Sequence, residues 1–263
     1  MRRATRPLRR SLAALLLAAA LASASSCRAT DEPAPTIQQL AADPDVDAAG
    51  KRLMRLPLGL TRLDGDGVTR ADAVIAVHGH GSRGKEWIEP LARFDDSDVA
   101  VHFYRWDYNS CPETALPRLR EAVEGLLRDD PAITRVILVG HSYGGVLAAR
   151  LAQELAPAPA LDVHIIASPL ASVPALERVC GFEGVPELGP KAEATTWRQW
   201  RTVKEQDGAF KDLEVDPQEV TLPRLTVTQL PATLEGGDRL GHNRSITWVA
   251  EQLHPLTPAG DAP

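Results

Sequence analysis

The sequence predicts a three-layer α/β fold, a mostly parallel central sheet flanked by helices. Short apolar runs rich in Val and Ile recur at residues 73–77, 99–104, 136–139, 163–167 and 225–230, the composition of strands buried on both faces. Helical patterns fill the gaps at residues 116–127, 145–155 and 245–253, and strands alternating with helices make parallel βαβ units. A chain of 263 residues suits one domain with a substantial core.

The N-terminus reads as a targeting segment. Residues 1–26 carry Arg2, Arg3, Arg6, Arg9 and Arg10 and no acid, then an apolar run over residues 12–21 and small residues up to Ser26. A charged region, a short apolar region and a small-residue cleavage site predict a secretory signal peptide. The run is too short to span a bilayer permanently. Ala24-Ser25-Ser26-Cys27 resembles the lipobox of bacterial lipoproteins, although Ala24 stands where that pattern prefers Leu. The resemblance implies an acylated Cys27, and with it an exported protein of the cell envelope, periplasmic or on the outer surface. Cleavage without acylation would give a secreted protein. Arg9-Arg10 also resembles a twin-arginine signal, which the following residues fit poorly.

With Cys27 acylated, Cys111 and Cys180 remain as an even pair. An oxidising compartment permits a disulfide between them, which would close a loop of about 70 residues and add roughly 4 kcal/mol on the chain-entropy view. Two separate buried thiols are the alternative.

The net charge of −6 is uneven: five of the 29 basic residues lie in residues 1–26, and the other 24 face 35 acids. Such an acidic body repels phosphate backbones, which excludes nucleic-acid binding. Residues 27–50, rich in Ala, Asp and Pro without sustained periodicity, predict a flexible tether. The folded body is expected over residues 51–254 and a disordered tail over 255–263. Residues 169–196 interrupt the alternation with Pro and Gly and predict a small cap or lid. A weaker run over residues 197–203 is a candidate strand.

The chemistry concentrates where the run 136–139 meets Gly140-His141-Ser142-Tyr143-Gly144-Gly145 and then a helical pattern. This is G-x-S-x-G in its strand, sharp turn and helix context. Side chains at Gly140 and Gly144 would collide with neighbouring backbone, and the turn holds Ser142 proud of the sheet at a helix N-terminus. Ser142 is the expected nucleophile. A second element, His78-Gly79-His80-Gly81-Ser82, follows the run at residues 73–77.

Together these two motifs resemble the α/β-hydrolase superfamily, in particular its lipase and esterase branches, over roughly residues 70–254. The resemblance implies an α/β-hydrolase fold with a small cap after the sixth strand, and two further strands within residues 51–69, where no hairpin pattern is visible. It implies that the backbone N–H groups of His80 and Tyr143 form an oxyanion hole. The family's order of serine, acid and late histidine points to His242, in Gly241-His242-Asn243 after the last strand, ahead of His254 in the tail. For the acid it favours Asp207, before Gly208, with Asp238, Glu235, Asp212 and Glu205 as rivals. No cofactor is implied, and the partner is a small-molecule acyl ester cleaved through an acyl-enzyme. Thioesterase, peptidase or acyltransferase chemistry on the same triad stays open, as does a non-catalytic binding module. Tyr104, Trp106 and Tyr143 either line the pocket or pack. Two rival readings of the His-Gly turn fit less well. Gly79-x-Gly81-x-x-Gly84 fits a dinucleotide fingerprint, but Pro90 should cut short the helix that receives a pyrophosphate. His78 and His80 as a metal pair lack a downstream cluster to complete the site.

Overall fold

The computed structural model describes residues 34–155, 159–186 and 195–256. Signal peptide, Cys27, the start of the tether, part of the cap and the tail beyond residue 256 lie outside the described residues. No described helix is long and apolar enough to cross a membrane.

The chain enters through two short helices, α1 (Ile37–Ala41) and α2 (Val46–Leu53), and an edge strand, β1 (Gly59–Arg62). Alternation then sets in: β2 (Asp72–Val77), α3 (Lys85–Asp95), β3 (Ala100–Arg105), α4 (Pro112–Asp129), β4 (Arg135–His141), α5 (Tyr143–Glu154) and β5 (Ala160–Ile166). After α6 (Pro174–Cys180) come β6 (Thr195–Arg201), β7 (Leu225–Gln229) and α7 (Gly241–Leu253). The seven strands pair in the order β1-β3-β2-β4-β5-β6-β7. Only β1 is antiparallel to its neighbour.

Period-two alternation divides the sheet's side chains between two cores. Ala73, Ile75 and Val77 face the layer of α4 and α5, while Val74 and Ala76 face α1, α2, α3 and α7. The strand order reverses between β2 and β4, both parallel, so the loops at their carboxyl ends diverge and leave a crevice there. Val77 is level with Gly140 across that seam.

Several expectations need correction. The flexible tether does not hold over residues 36–50, which hold α1 and most of α2. Thr36 makes a capping box with Gln39, Asp45 caps α2, and Ile37, Leu40, Ala49 and Leu53 are fully buried. The packing is tight enough that a Cβ on Gly50 would lie 2.4 Å from the Lys85 backbone N. Residues 51–69 hold one strand rather than two, and the cap segment accordingly follows the fifth described strand; it contains α6. Pro90 does not cut short its helix: α3 continues to Asp95, because Trp87, Leu91 and Phe94 bury fully along one face. That burial offsets the hydrogen bond the ring forfeits. Finally, β7 is not buried on both faces; it is the sheet edge, with Val227 exposed. Of the expected tail, Leu256 packs partly against the core and its N–H donates to Ser97 Oγ at 3.4 Å.

A disulfide joins Cys111, the residue before α4, to Cys180, the last residue of α6, with Cα atoms 5.5 Å apart.

Candidate active site

The turn from β4 into α5 is tightly constrained. Ser142 has φ 54° and ψ −125°, a conformation that disfavours any side chain. Two glycines make the turn sterically feasible. A Cβ on Gly140 would lie 2.5 Å from the Gly144 carbonyl oxygen, and one on Gly144 only 2.1 Å from that of Val77. The turn is then locked by hydrogen bonds: Ser142 N–H donates to Ile166 O at 2.9 Å, and buried Ser168 Oγ donates to Ser142 O at 2.7 Å.

The His-Gly turn after β2 lies directly against the serine, so that a Cβ on Gly79 would come within 2.7 Å of Ser142 Cβ. His78 anchors this turn. Its ring is buried and stacked between Phe103 and Trp106 at 5.7 and 5.8 Å. Burial pushes its pKa down to about 4, so the ring is neutral at pH 7. It accepts from Trp106 N–H at Nε2 (3.2 Å), leaving Nδ1 to donate to Gly79 O (2.9 Å). Trp106 Nε1 donates in turn to His78 O at 2.8 Å. With His78 so occupied, the metal-pair reading finds no support, and no group of three His, Cys, Asp or Glu suited to a metal occurs among the described residues. The His80 and Tyr143 backbone N–H groups donate to no other described group. The His80 and Tyr143 rings are 5.6 Å apart. Tyr143 is half-buried, whereas Tyr104 and Trp106 are buried.

His242 sits in the first turn of α7, and its Nδ1 lies 2.9 Å from Asp207 Oδ2. Asp207 is fully buried after the short 3-10 turn that follows β6. Its carboxylate also accepts from Thr202 Oγ1 at 2.5 Å and from Ala209 N–H at 2.8 Å. Three donors from three directions fix the carboxylate plane and with it the imidazole tautomer. The rival acids are elsewhere: Asp238 is exposed and paired with Arg244 at 3.0 Å, and Glu205, Asp212 and Glu235 are exposed. His254 is remote from this cluster, its Nδ1 3.1 Å from Ser97 Oγ.

Four residues that sequence reasoning passed over hold the cluster together. Thr202 and Gln218 form a buried pair, with Thr202 N–H donating to Gln218 Oε1 at 3.0 Å and Gln218 Nε2 to Thr202 O at 3.1 Å. The Phe210 ring meets His242 edge-on at 5.1 Å. His141 is buried, and its Nε2 lies 3.0 Å from the His242 carbonyl oxygen. Burial, with the nearby His242 adding to it, holds the His141 pKa well below the ordinary imidazole value. Only His141 had a sequence signal, its place within the serine motif. The other three are brought in by tertiary contact.

A polar cleft of about 260 Å³ opens at this point, lined by Gly79, His80, His141, His242 and Asn243 among others. The arrangement presents a serine on a strained turn, an imidazole oriented by a buried carboxylate, and two backbone N–H groups without a described acceptor. Such a set can accept a proton from a hydroxyl and hold a developing oxyanion.

A model of the alpha/beta hydrolase family matches residues 74–258, well over half of the chain. Among solved structures, Est1E from Butyrivibrio proteoclasticus is similar at 13% identity and a TM-score of 0.50, with 74% of this chain and 89% of that one covered. XC6422 from Xanthomonas campestris, described as an a/b serine hydrolase without lid, is similar at 17% identity and a TM-score of 0.49, over 79% and 99%. The Pyrococcus furiosus esterase Pf2001 is similar at 15% identity and a TM-score of 0.46, over 73% and 82%. At these identities the likeness concerns the fold. A search of curated proteins finds no match. The family match, over a seven-stranded and mostly parallel sheet flanked by helices, makes this chain a member of the alpha/beta hydrolase family.

Proposed function

We propose that the protein is an exported serine hydrolase that cleaves carboxylic esters, with Ser142 as nucleophile, His242 as base and Asp207 as the orienting acid. The observation that carries this reading is the 2.9 Å contact between His242 Nδ1 and the buried Asp207 carboxylate, next to the strained Ser142 turn, whose His141 lies 3.0 Å from the His242 carbonyl oxygen. His242 Nε2 takes the Ser142 hydroxyl proton as Oγ bonds to the ester carbonyl carbon. The carbonyl oxygen becomes an oxyanion held by the His80 and Tyr143 N–H groups, each such donor contributing about 3–4 kcal/mol of transition-state stabilisation. Collapse breaks the bond to the alkoxy oxygen, and the alcohol leaves with the proton from His242. Water, deprotonated by His242, then attacks the acyl-enzyme and releases the acid.

A cleft of about 260 Å³ fits a short ester better than a long acyl chain. Export rests on the signal-like residues 1–26, with Cys27 as the lipid anchor, and the Cys111–Cys180 bond accords with an oxidising compartment. The carboxylate within reach of His242 weighs against a non-catalytic binding module.

Labelling the purified protein with a fluorophosphonate, followed by peptide mapping, tests the reading. The expected result is an adduct on Ser142 that disappears in Ser142→Ala and His242→Ala. A well-folded protein that takes no label would overturn it. A panel of activated esters, thioesters and peptides then separates ester hydrolysis from the other acyl chemistries.

A further inference from the structure

A second cavity, of about 330 Å³, lies at the β1–β3 side of the sheet. Its walls come from Leu58 ahead of β1, Tyr104, Arg105 and Trp106 at the end of β3, and Ala115 and Arg118 on α4. None of these residues lines the cleft beside His242. In the strand order, β2 separates β3 from β4. Two inter-strand spacings, about 10 Å, therefore divide this cavity's strand from the one that carries Ser142.

The cavity has hydrogen-bond donors in excess of acceptors. Tyr104 is 2% exposed, and its hydroxyl has no hydrogen-bond partner among the described residues. Burial raises this phenol to about 12, so at neutral pH it carries its proton and can donate. Arg105, the next residue of β3, leaves on the opposite face of the sheet, where a guanidinium N–H donates to Leu56 O at 2.9 Å. The exposed Arg118, whose charge acts on the Tyr104 phenol, bonds to no described side chain. The acid on the wall, Asp107, is engaged by the N–H and side-chain amide of Asn109, each at 3.1 Å. A phenol held in a nearly buried residue without an acceptor among the described residues bonds instead to whatever occupies the cavity beside it. Beside these donors lie apolar surfaces, Trp106 and Ala115 within and Leu58, 51% exposed, at the mouth.

We propose that this cavity binds a small carboxylate with an apolar body, its head group on Arg118 and the Tyr104 hydroxyl and its body against Leu58, Trp106 and Ala115. A planar carboxylate supplies two acceptor oxygens, and a guanidinium fork matches them. The volume admits a ligand of roughly ten heavy atoms. Occupancy would also bear on the catalytic side, because Trp106 gives both its N–H groups to His78, which holds the Gly79–His80 turn. The site goes beyond the ester-hydrolase reading and stands whether or not that reading does.

The test is calorimetric titration of the full chain with 3-phenylpropionate and with its neutral counterpart 3-phenylpropanol. The acid is expected to bind about tenfold more tightly than the alcohol, the margin of a charge-assisted hydrogen bond pair. Tyr104→Phe and Arg118→Ala should each weaken the acid about tenfold, and Arg118→Lys less. Arg118 is exposed on α4, so its variants leave the fold intact, and an unchanged Tm verifies this. His242→Ala should leave the affinity unchanged. The proposal is overturned if acid and alcohol bind alike, if neither binds, if the Tyr104 and Arg118 variants bind as the wild type does, or if His242→Ala weakens binding as much as Arg118→Ala.

Discussion

His141 Nε2 lies 3.0 Å from the carbonyl oxygen of His242, and the two rings are 4.5 Å apart. The residue beside the serine thus holds the backbone of the imidazole that would serve it. Since burial keeps His141 neutral, one ring nitrogen carries the hydrogen, and the contact to a carbonyl puts it on Nε2.

Glutamine and asparagine discriminate this contact. The amide of Gln reaches about as far as Nε2 and that of Asn only as far as Nδ1, so His141→Gln should retain most activity. His141→Asn should lose about tenfold to a hundredfold in kcat with KM little changed, the pattern of a lost positioning contact. Steady-state kinetics on a short ester, alongside melting curves, checks this. Equal loss in both variants would mean that His141 matters only as packing.

Thr202→Val keeps the shape of the side chain but removes a donor to Asp207 Oδ2 and leaves Gln218 Oε1 with only the Thr202 N–H. A decrease of about tenfold in kcat/KM is expected, with about 1–2 kcal/mol less stability. Denaturant melts and kinetics on the same preparation measure both. Unchanged kinetics would show that His242 and Ala209 suffice to hold Asp207.

Ser142→Gly should stabilise the protein while abolishing labelling. The φ of 54° holds strain of about 1–3 kcal/mol that glycine does not feel. Glycine's greater freedom in the unfolded chain subtracts about 0.4–1 kcal/mol. A net gain near 1 kcal/mol corresponds to about 2–4 °C in Tm. Calorimetry showing a lower Tm would mean the turn is relaxed.

Stability should fall on mild acidification. His78, His102 and His164 are each pushed down to about 4 by burial, and His141 is held well below the ordinary value for the same reason. In the unfolded chain these imidazoles titrate near 6.5. Below that pH the unfolded state binds protons that the folded state refuses, so stability, complete above about 7, declines as pH falls from 6.5 towards 4. The slope approaches about 1.4 kcal/mol per pH unit for each such histidine. Urea melts at pH 7.5, 6 and 5 test the sign, in a window where most carboxylates remain ionised. A flat profile would contradict the burial of these rings as neutral groups.

What the sequence makes legible follows from the range of the forces involved. The serine turn is a local object: Gly140 and Gly144 are demanded by backbone atoms a few ångströms away, one of them in the adjacent strand. Strands β2, β3, β4 and β5 announce themselves because both their faces are largely buried. Helices α1 and α2 do not, since five and eight residues gain little from propensity and are held by the burial of Ile37, Leu40 and Leu53. Asp207 stood among five candidate carboxylates because what distinguishes it is complete burial beside Thr202 and His242, 5 and 35 residues away. Thr202, Gln218 and Phe210 carry no motif at all.

The bond between Cys111 and Cys180 makes the attachment of α6 depend on the redox state of the surroundings. In a reducing cytosol both sulfurs stay as thiols, and α6 is attached to the body by peptide connections and packing alone. In an oxidising compartment the bond staples α6 to the start of α4 across 69 residues of chain. The oxidised form is thereby the tighter of the two, and a reductant that reaches the bond loosens the attachment of α6 without touching the sheet.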